Sequence, residues 1–391
     1  MVEREIPAYS AIFLTIRQSS CLKWAVMMSS SILLKRLFAI FFFVNLQFSI
    51  RIIIQDFSAK KSLFYAKIRI SILKGGFMCT GVRFSDGAGN MYFGRNLDWS
   101  TGYGQKVVIT PRGYKYQSAF LGEMGGSAVI GMGIVAENTP LYFDCANEHG
   151  LAVAGLNFPG YASYAPDAIE GKTNVAAYEF PLWVALNFTS VDEAEKALKN
   201  VAIVARPIND QYPVSQLHWL IGDAKRSIVV EYTAAGMEIF DNPVDILTNQ
   251  PGYGWHKENL RNYMNLFPQM PKEVKWGKET MKAFGSGSLM RGLPGGFYST
   301  DRFIRVAYLN THYPVQPDEA SNISRLFHTL AGVAMIDGGA AMADGAFEKT
   351  VYTGGYSTAT QTYYYHTYED PGIQSVAMKD QDLDSADLII A

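Results

Sequence analysis

Met78-Cys79-Thr80-Gly81-Val82-Arg83-Phe84 is followed, after a polar turn, by Asn90-Met91-Tyr92-Phe93-Gly94-Arg95-Asn96-Leu97-Asp98. The reading of this stretch turns on what precedes Cys79. If translation starts at Met78, or a leader is cut there, Cys79 becomes the first residue, because methionine is removed ahead of a small side chain. An N-terminal cysteine carries a nucleophile and a base on one residue. The thiol attacks, and the free α-amine, with an ordinary pKa of about 7.7–8.0, takes up a proton near neutral pH.

The 77 residues before Met78 differ from the rest. They hold 11 Lys and Arg against 3 Asp and Glu, a net of +8, whereas the remainder has 23 basic and 33 acidic residues, a net of −10. One reading is a targeting segment. Lys35-Arg36 precede an apolar run from Leu37 to Ile50, interrupted by Asn45 and Gln47. The run is short of the roughly 20 apolar residues a spanning helix needs. It has the basic flank and apolar centre of a signal sequence, but it ends far upstream of Cys79 and no small-x-small site sits just before that residue. A second reading fits better. Lys74-Gly75-Gly76-Phe77-Met78 can be encoded by a purine-rich ribosome-binding sequence followed by a start codon. The expected organisation is an extension over residues 1–78, arising from a mis-assigned start or a removed leader, and one catalytic domain over 79–391.

From Cys79 onward the length suits one large domain with a sizeable core. The acidic balance argues against nucleic acid, which needs clustered Lys and Arg. No later segment approaches a membrane span. Only Cys79 and Cys145 remain as cysteines there, so a disulfide framework is not expected and a reducing, cytoplasmic setting fits.

Strand-like runs cover Asn90–Leu97, Gln105–Thr110, Ala128–Val135, Leu141–Ala146 and Leu151–Asn157, with a turn at Asn147-Glu148-His149-Gly150. A buried helix over Tyr178–Asn187 follows, then one to Lys199 opened by the capping box Ser190-Val191-Asp192-Glu193. Leu217–Ile221 and Ser227–Tyr232 form a second hairpin, and Gly236–Phe240 and Asp245–Thr248 continue its sheet. Residues 251–300 read as loop. Helices over Arg302–Asn310 and Glu319–Val333 precede strands at Thr350–Thr353, Thr362–Tyr368 and Ile373–Met378. Hairpins rather than βαβ units join the strands, which predicts an α+β layered fold with mostly antiparallel sheets.

Few residues carry an obvious chemistry. The six histidines form no metal-type pair and no HExxH occurs. His218, in an apolar strand, reads as a satisfied core residue and His149 as a solvated turn residue. Gly131-Met132-Gly133 and Gly285-Ser286-Gly287 lack the remaining positions of nucleotide loops. Cys79, taken alone, is more often a buried small hydrophobe. Arg95 and Asp98 would ordinarily form a surface ion pair worth about 0–1 kcal/mol. The functional alternative has Asp98 accept from the α-amine of Cys79 while Arg95 lowers the thiol pKa. Asn157 and Asn249 end apolar strands. They serve either as turn formers or as amide donors to a developing oxyanion.

Five segments in order carry a family resemblance: Met78-Cys79-Thr80-Gly81, Phe93-Gly94-Arg95-Asn96-Leu97-Asp98, Ala154-Gly155-Leu156-Asn157-Phe158-Pro159, Leu247-Thr248-Asn249, and Gly292-Leu293-Pro294-Gly295 through Arg302-Phe303. Together they resemble the choloylglycine hydrolases, the bile salt hydrolases and penicillin V acylases among the N-terminal-nucleophile hydrolases. The likeness runs from Cys79 nearly to the C-terminus and is nearest to bile salt hydrolases of gut bacteria such as bifidobacteria. It implies a four-layer αββα sandwich, commonly a homotetramer, that hydrolyses the amide joining a bile acid to glycine or taurine without metal or organic cofactor. Penicillin V or another N-acyl amide is the alternative substrate. If residues 1–77 stay attached, an inactive precursor or a non-catalytic bile-salt binder is the alternative of a different class. By carry-over, Cys79 is the nucleophile, Arg95 and Asp98 flank it, Asn157 and Asn249 serve the oxyanion, and Arg302 supports the nucleophile. Apolar pocket positions fall on Leu97, Ala136, Phe143, Ile208 and Tyr212. Gly296 after Gly295 and Asp301 before Arg302 depart from the family's usual pattern, and Asp301 is expected to draw Arg302 off the site.

Intact-mass measurement on protein from its native source is expected to give a chain beginning at Cys79. A mature terminus within residues 1–70 overturns that reading.

Overall fold

The computed structural model describes residues 78–391 and, before them, the backbone of Ile12–Arg17, Lys23–Met28 and Ser49–Ile53. The chain separates into two compact units, Met1–Lys74 and Gly75–Ala391. In the first, the three strands form an antiparallel sheet with Ile12–Arg17 central, a pattern the sequence reading had not found. The apolar run from Leu37 falls almost wholly outside the described residues.

The second unit opens with β1 (Met78–Ser85), which the sequence reading missed. Its interior is buried on both faces, so it shows none of the alternation that marks a half-exposed strand. The strands that follow are β2 (Met91–Trp99), β3 (Lys106–Thr110), β4 (Val129–Ala136), β5 (Thr139–Asn147) and β6 (Ala152–Asn157). After two helices come β7 (Leu217–Gly222), β8 (Ser227–Thr233), β9 (Gly236–Asp241) and β10 (Ile246–Leu247). The chain ends with β11 (Phe347–Ser357), β12 (Thr362–Thr367), β13 (Gln374–Ala377) and β14 (Ile389–Ile390).

Two sheets result. One has the order β9-β8-β7-β6-β5-β4-β3-β14 and the other β10-β1-β2-β11-β12-β13, with Ala340–Ala341 added beside β11. Neighbours within both sheets run antiparallel. The sheets face one another where β6 lies over β1 and β2. Helices α1 (Phe180–Asn187) and α2 (Val191–Leu198) cover the outer face of the first sheet, with α1 on β5 and β6. Helix α3 (Tyr253–Asn259) falls within the stretch 251–300 that had been read as loop. The outer face of the second sheet is covered by α4 (Ser299–His312) and α5 (Glu319–Ala331). The layers are therefore αββα. Two apolar cores follow from that order, one between the sheets and under α4 and α5, the other between the first sheet and α1 and α2.

Local chemistry accounts for the helix ends. Ser190 Oγ accepts from the Glu193 amide at 3.3 Å, as the capping box requires. The reciprocal bond moves back one residue, the Glu193 carboxylate taking the amide of Thr189 at 2.8 Å. Helix α1 buries every residue but Asn187, which explains its lack of an apolar stripe. The pair Thr173–Ala176 and Val201–Val204 runs parallel across α1 and α2, a βαβ-like connection that the sequence reading had excluded. Within the stretch read as loop, Val274–Trp276 and Glu279–Met281 pair as a short hairpin.

One departure sets up the site. Residues 245–248 had been expected to extend the sheet of β9. Instead β10 crosses over and pairs with β1, Ile246 opposite Val82 and Leu247 opposite Gly81. Asp245, at φ 58°, makes the turn, and its carboxylate is held by Ser227 Oγ at 2.7 Å and Arg83 Nη1 at 3.1 Å. The crossing delivers Thr248 and Asn249 to the side of Cys79.

The sheets approach closely at Gly81, where a Cβ would meet Leu220 Cδ2 at 3.0 Å and Leu156 Cδ1 at 3.7 Å. Gly81→Val is expected to overpack this contact and lower stability by about 1–3 kcal/mol, measured by denaturant unfolding. An unchanged midpoint would contradict the packing described.

Candidate active site

Alternation along β1 and β2 sorts the polar side chains between two layers. Cys79 and Gly81 face the opposite sheet, and so do Leu97 and Arg95, their register partners on β2. Thr80, Asn96 and Asp98 face the helices, where Thr80 meets Arg302 and Asn96 donates to Leu330 O at 2.9 Å. The thiol therefore lies between the sheets, and the carboxylate of Asp98 lies beneath them.

Arg95 and Asp98 do not form a surface ion pair. Both are fully buried. The Arg95 guanidinium donates to Cys79 Sγ at 2.7 Å, to Gly155 O at 2.8 Å and to Phe143 O at 3.0 Å. Burial pushes the Cys79 thiol up. Arg95 pulls it down, as do main-chain hydrogen bonds from Asp98 and Asn157, without fully offsetting the burial. The sequence-based expectation of a lowered thiol holds for the direction of the Arg95 effect and fails for the sum.

The nitrogen of Cys79 is placed as firmly as its sulfur. As the peptide N–H it is here, it donates to Asn249 Oδ1 at 2.7 Å. The same Oδ1 accepts from Arg302 Nη2 at 2.7 Å, and Asn249 Nδ2 donates to the Asn157 carbonyl at 2.8 Å. The Asn249 backbone is pinned as well. Its N–H goes to Ser299 Oγ at 3.0 Å, and its carbonyl accepts from His256 Nε2 at 3.0 Å. Burial pushes His256 down to about 4, so the ring is neutral and a fixed donor at Nε2. The carbonyl of Thr248 accepts from His218 Nε2 at 2.8 Å, while His218 Nδ1 meets Glu231 at 3.1 Å, which makes His218 the satisfied core residue expected of it.

Asp301 does not draw Arg302 away. Its own contact is with Thr300 Oγ1. Arg302 is fully buried and donates to Phe297 O at 2.8 Å, Thr80 Oγ1 at 2.6 Å and Cys79 O at 2.5 Å. Asp98 Oδ2 lies 3.9 Å from its Nη1. Burial lifts the Asp98 carboxyl to about 6, with Arg302 and the hydroxyl of Thr350, 2.6 Å from Oδ1, opposing.

Residues 79–391 match the family described as linear amide C–N hydrolases, choloylglycine hydrolase family. This chain belongs to the choloylglycine hydrolase family. It is 58% identical over 314 residues to a bile salt hydrolase/transferase of Bifidobacterium longum, covering 80% of this chain and 99% of that one. It is 44% identical over 314 residues to a conjugated bile acid hydrolase of Lactobacillus gasseri, with the same coverage of 80% and 99%. Among solved structures, a cysteine-to-alanine variant of conjugated bile acid hydrolase from Clostridium perfringens superposes with TM-score 0.75 at 38% identity, covering 80% of this chain and 96% of that one. Penicillin V acylase from Agrobacterium tumefaciens shares the fold, with TM-score 0.62 at 19% identity over 79% and 90% of the two chains.

In this choloylglycine hydrolase the structure brings Cys79, Arg95, Asp98, Asn157, Asn249 and Arg302 together. The expected pocket residues are spread more widely. Leu97 pairs with Cys79, and Phe143 offers its carbonyl to Arg95 and its ring to Tyr103, 5.5 Å away. Ala136 ends β4 at the tight turn Glu137-Asn138. Ile208 and Tyr212 lie in the loop that Asn209 ties to Glu137 at 2.6 Å. Sequence reasoning missed Tyr103, whose phenol is pushed up by burial and by the thiol. It also missed Ser299, His256, Thr350 and Glu348, whose roles depend on strand register and on helix placement.

Arg302→Met is expected to cost about 3–5 kcal/mol, because it strands the buried Asp98 carboxylate. Asp301→Asn is expected to stay within about 0.5 kcal/mol of the parent, with turnover kept. Chemical unfolding of the two variants checks both, and a large loss from Asp301→Asn would restore the expectation rejected above.

Proposed function

We propose that this choloylglycine hydrolase cleaves the amide bond between a bile acid and glycine or taurine, with Cys79 as nucleophile once its nitrogen is free. The observation that carries the reading is the simultaneous fixing of that residue's two reactive atoms, Sγ by Arg95 and N by Asn249. The relatives named for bile salts and conjugated bile acids supply the substrate class.

A thiol raised by burial needs a base within reach, and the freed α-amine of Cys79 is that base. Freed from its peptide bond, the nitrogen gains further N–H groups. Asp98, opposite position 78 in the β1–β2 register, offers Oδ2, which has no hydrogen-bond partner among the described residues. Proton transfer from Sγ to the amine gives a thiolate that attacks the amide carbon. Asn249 and the Asn157 segment stabilise the tetrahedral oxyanion. The ammonium returns the proton to the leaving nitrogen, glycine or taurine departs, and a bile-acyl thioester on Sγ remains. Water, deprotonated by the same amine, hydrolyses it. Leu97, Ala136, Phe143, Ile208 and Tyr212 present apolar area to the steroid, whose flat skeleton offers mainly surface to bury.

The mature enzyme in this reading begins at Cys79, functions in the cytoplasm and assembles as a homotetramer. Residues 264–284 support assembly, since Met264, Phe267, Met270, Val274, Trp276 and Phe284 are all exposed. No helix among the described residues is long and apolar enough to cross a membrane.

Cys79→Ala is expected to fold normally and to release no glycine or taurine from a panel of conjugates, with penicillin V assayed alongside. Turnover near that of the parent refutes the nucleophile. Preferential cleavage of penicillin V by the parent refutes the substrate class.

A further inference from the structure

Beneath the nucleophile lies a second buried carboxyl to which the mechanism above gives no role. Glu348 is 2% exposed and stands on β11 two residues before Thr350. Residues two apart on a strand share a face, and Thr350 bonds Asp98 Oδ1. Glu348 thus points to the side on which Asp98 and Arg302 meet. Two carboxyl oxygens in this space, Asp98 Oδ2 and Glu348 Oε1, are buried and without a hydrogen-bond partner among the described residues. One guanidinium serves both, and its four nearest contacts go to Phe297 O, Cys79 O, Thr80 Oγ1 and Asn249 Oδ1.

Two carboxylates and one committed cation cannot all be charged in a space closed to water, because burying an unpaired charge is far more costly than protonating it. The groups acting on Glu348 are few. Burial is the largest effect and pushes it up; from β2 the facing group is Asp98, which adds to that, and from α4 it is Arg302, which opposes; the sum lifts it to about 8. Ala340 and Ala341, paired beside it, carry no charge. Lys349 on its own strand points to the other face and pairs with Glu369 at 2.7 Å.

We propose that Glu348 is a neutral, proton-bearing positioning residue whose ionisation pulls Arg302 off Cys79 and Asn249 and so sets the alkaline limit of the enzyme. Below that limit the acid leaves Arg302 to Cys79 O, Thr80 Oγ1 and Asn249 Oδ1. Above it, a second carboxylate competes for the same guanidinium, and the clamp on the Cys79 nitrogen loosens. Glu348 lies on the Asp98 side of the second sheet, whereas Leu97 faces the first sheet, so the effect belongs to kcat and not to KM. The consequence for catalysis rests on the function proposed above, whereas the charge state does not.

The sign of the stability effect follows from linkage. A carboxyl raised in the folded state is protonated on folding between its unfolded value, about 4.3, and its folded one. Its contribution is fully present below the lower value and is lost as pH rises toward about 8. Glu348→Gln mimics the protonated acid and has nothing to lose across that window.

The test is thermal unfolding of parent and Glu348→Gln from pH 4 to pH 9, together with kcat and KM on a conjugated bile salt over the same range. The expected result is a Tm difference that moves in favour of the variant as pH rises. A kcat profile whose alkaline fall is shifted upward, with KM unchanged, accompanies it. If the Gln variant does not fold, Glu348→Met, also without a charge, carries the same readouts. A Tm difference that is constant with pH, or an unmoved alkaline limb, overturns the proposal. Failure of the nucleophile assignment is seen separately, as activity in Cys79→Ala, and leaves the unfolding comparison intact.

Discussion

One guanidinium ties this site together. Arg302, without contact with solvent, donates to the carbonyl of Cys79, the hydroxyl of Thr80 and the side-chain oxygen of Asn249, and lies 3.9 Å from Asp98. The partners come from three parts of the chain, β1, the residues beyond β10, and β2. A buried cation is tolerable only when its donors are used and its charge is balanced. That requirement makes helix α4, the second sheet and the β10 crossover mutually dependent. The geometry around Cys79 is thus a by-product of satisfying a charge placed in the core.

The same logic explains why the two reactive atoms of Cys79 are held from opposite sides. Arg95 reaches Sγ from the space between the sheets, and Asn249 reaches the nitrogen through a side chain whose own backbone is anchored by Ser299 and His256. Rigid partners around a reacting group lower the reorganisation that a transition state otherwise demands. Burial raises the thiol, and in the proposed mechanism a base carried on the same residue answers that.

Much of this was legible beforehand. The hairpins of the first sheet were located from short apolar runs broken by turn residues, and α2 from its capping box; α1, α4 and α5 were also found, though α4 begins at Ser299, three residues before the sequence placed it. The six clustered polar residues were found through motif likeness, not through periodicity. Strand β1 was missed because burial on both faces erases alternation and the buried polar residues Thr80 and Arg83 interrupt any apolar run. The crossing of β10 was missed because two residues of strand cannot reveal which sheet they join, and the signal lies in the contacts of Asp245 with Arg83 and Ser227. The relation of Asp301 to Arg302 was misjudged because adjacent residues on a helix point in different directions. Glu348 went unnoticed because the strand was begun at Thr350, three residues late.

Chain ends are ordinarily the loosest part of a domain. Here β1 is an inner strand, flanked by β10 on one side and β2 on the other. A protein that starts at Cys79 would therefore begin inside its own sheet, with its opening amides among the slowest to exchange with solvent. Freedom at the terminus, harmless in most enzymes, would here blur the position of the attacking atom, and the flanking strands act as a splint against it.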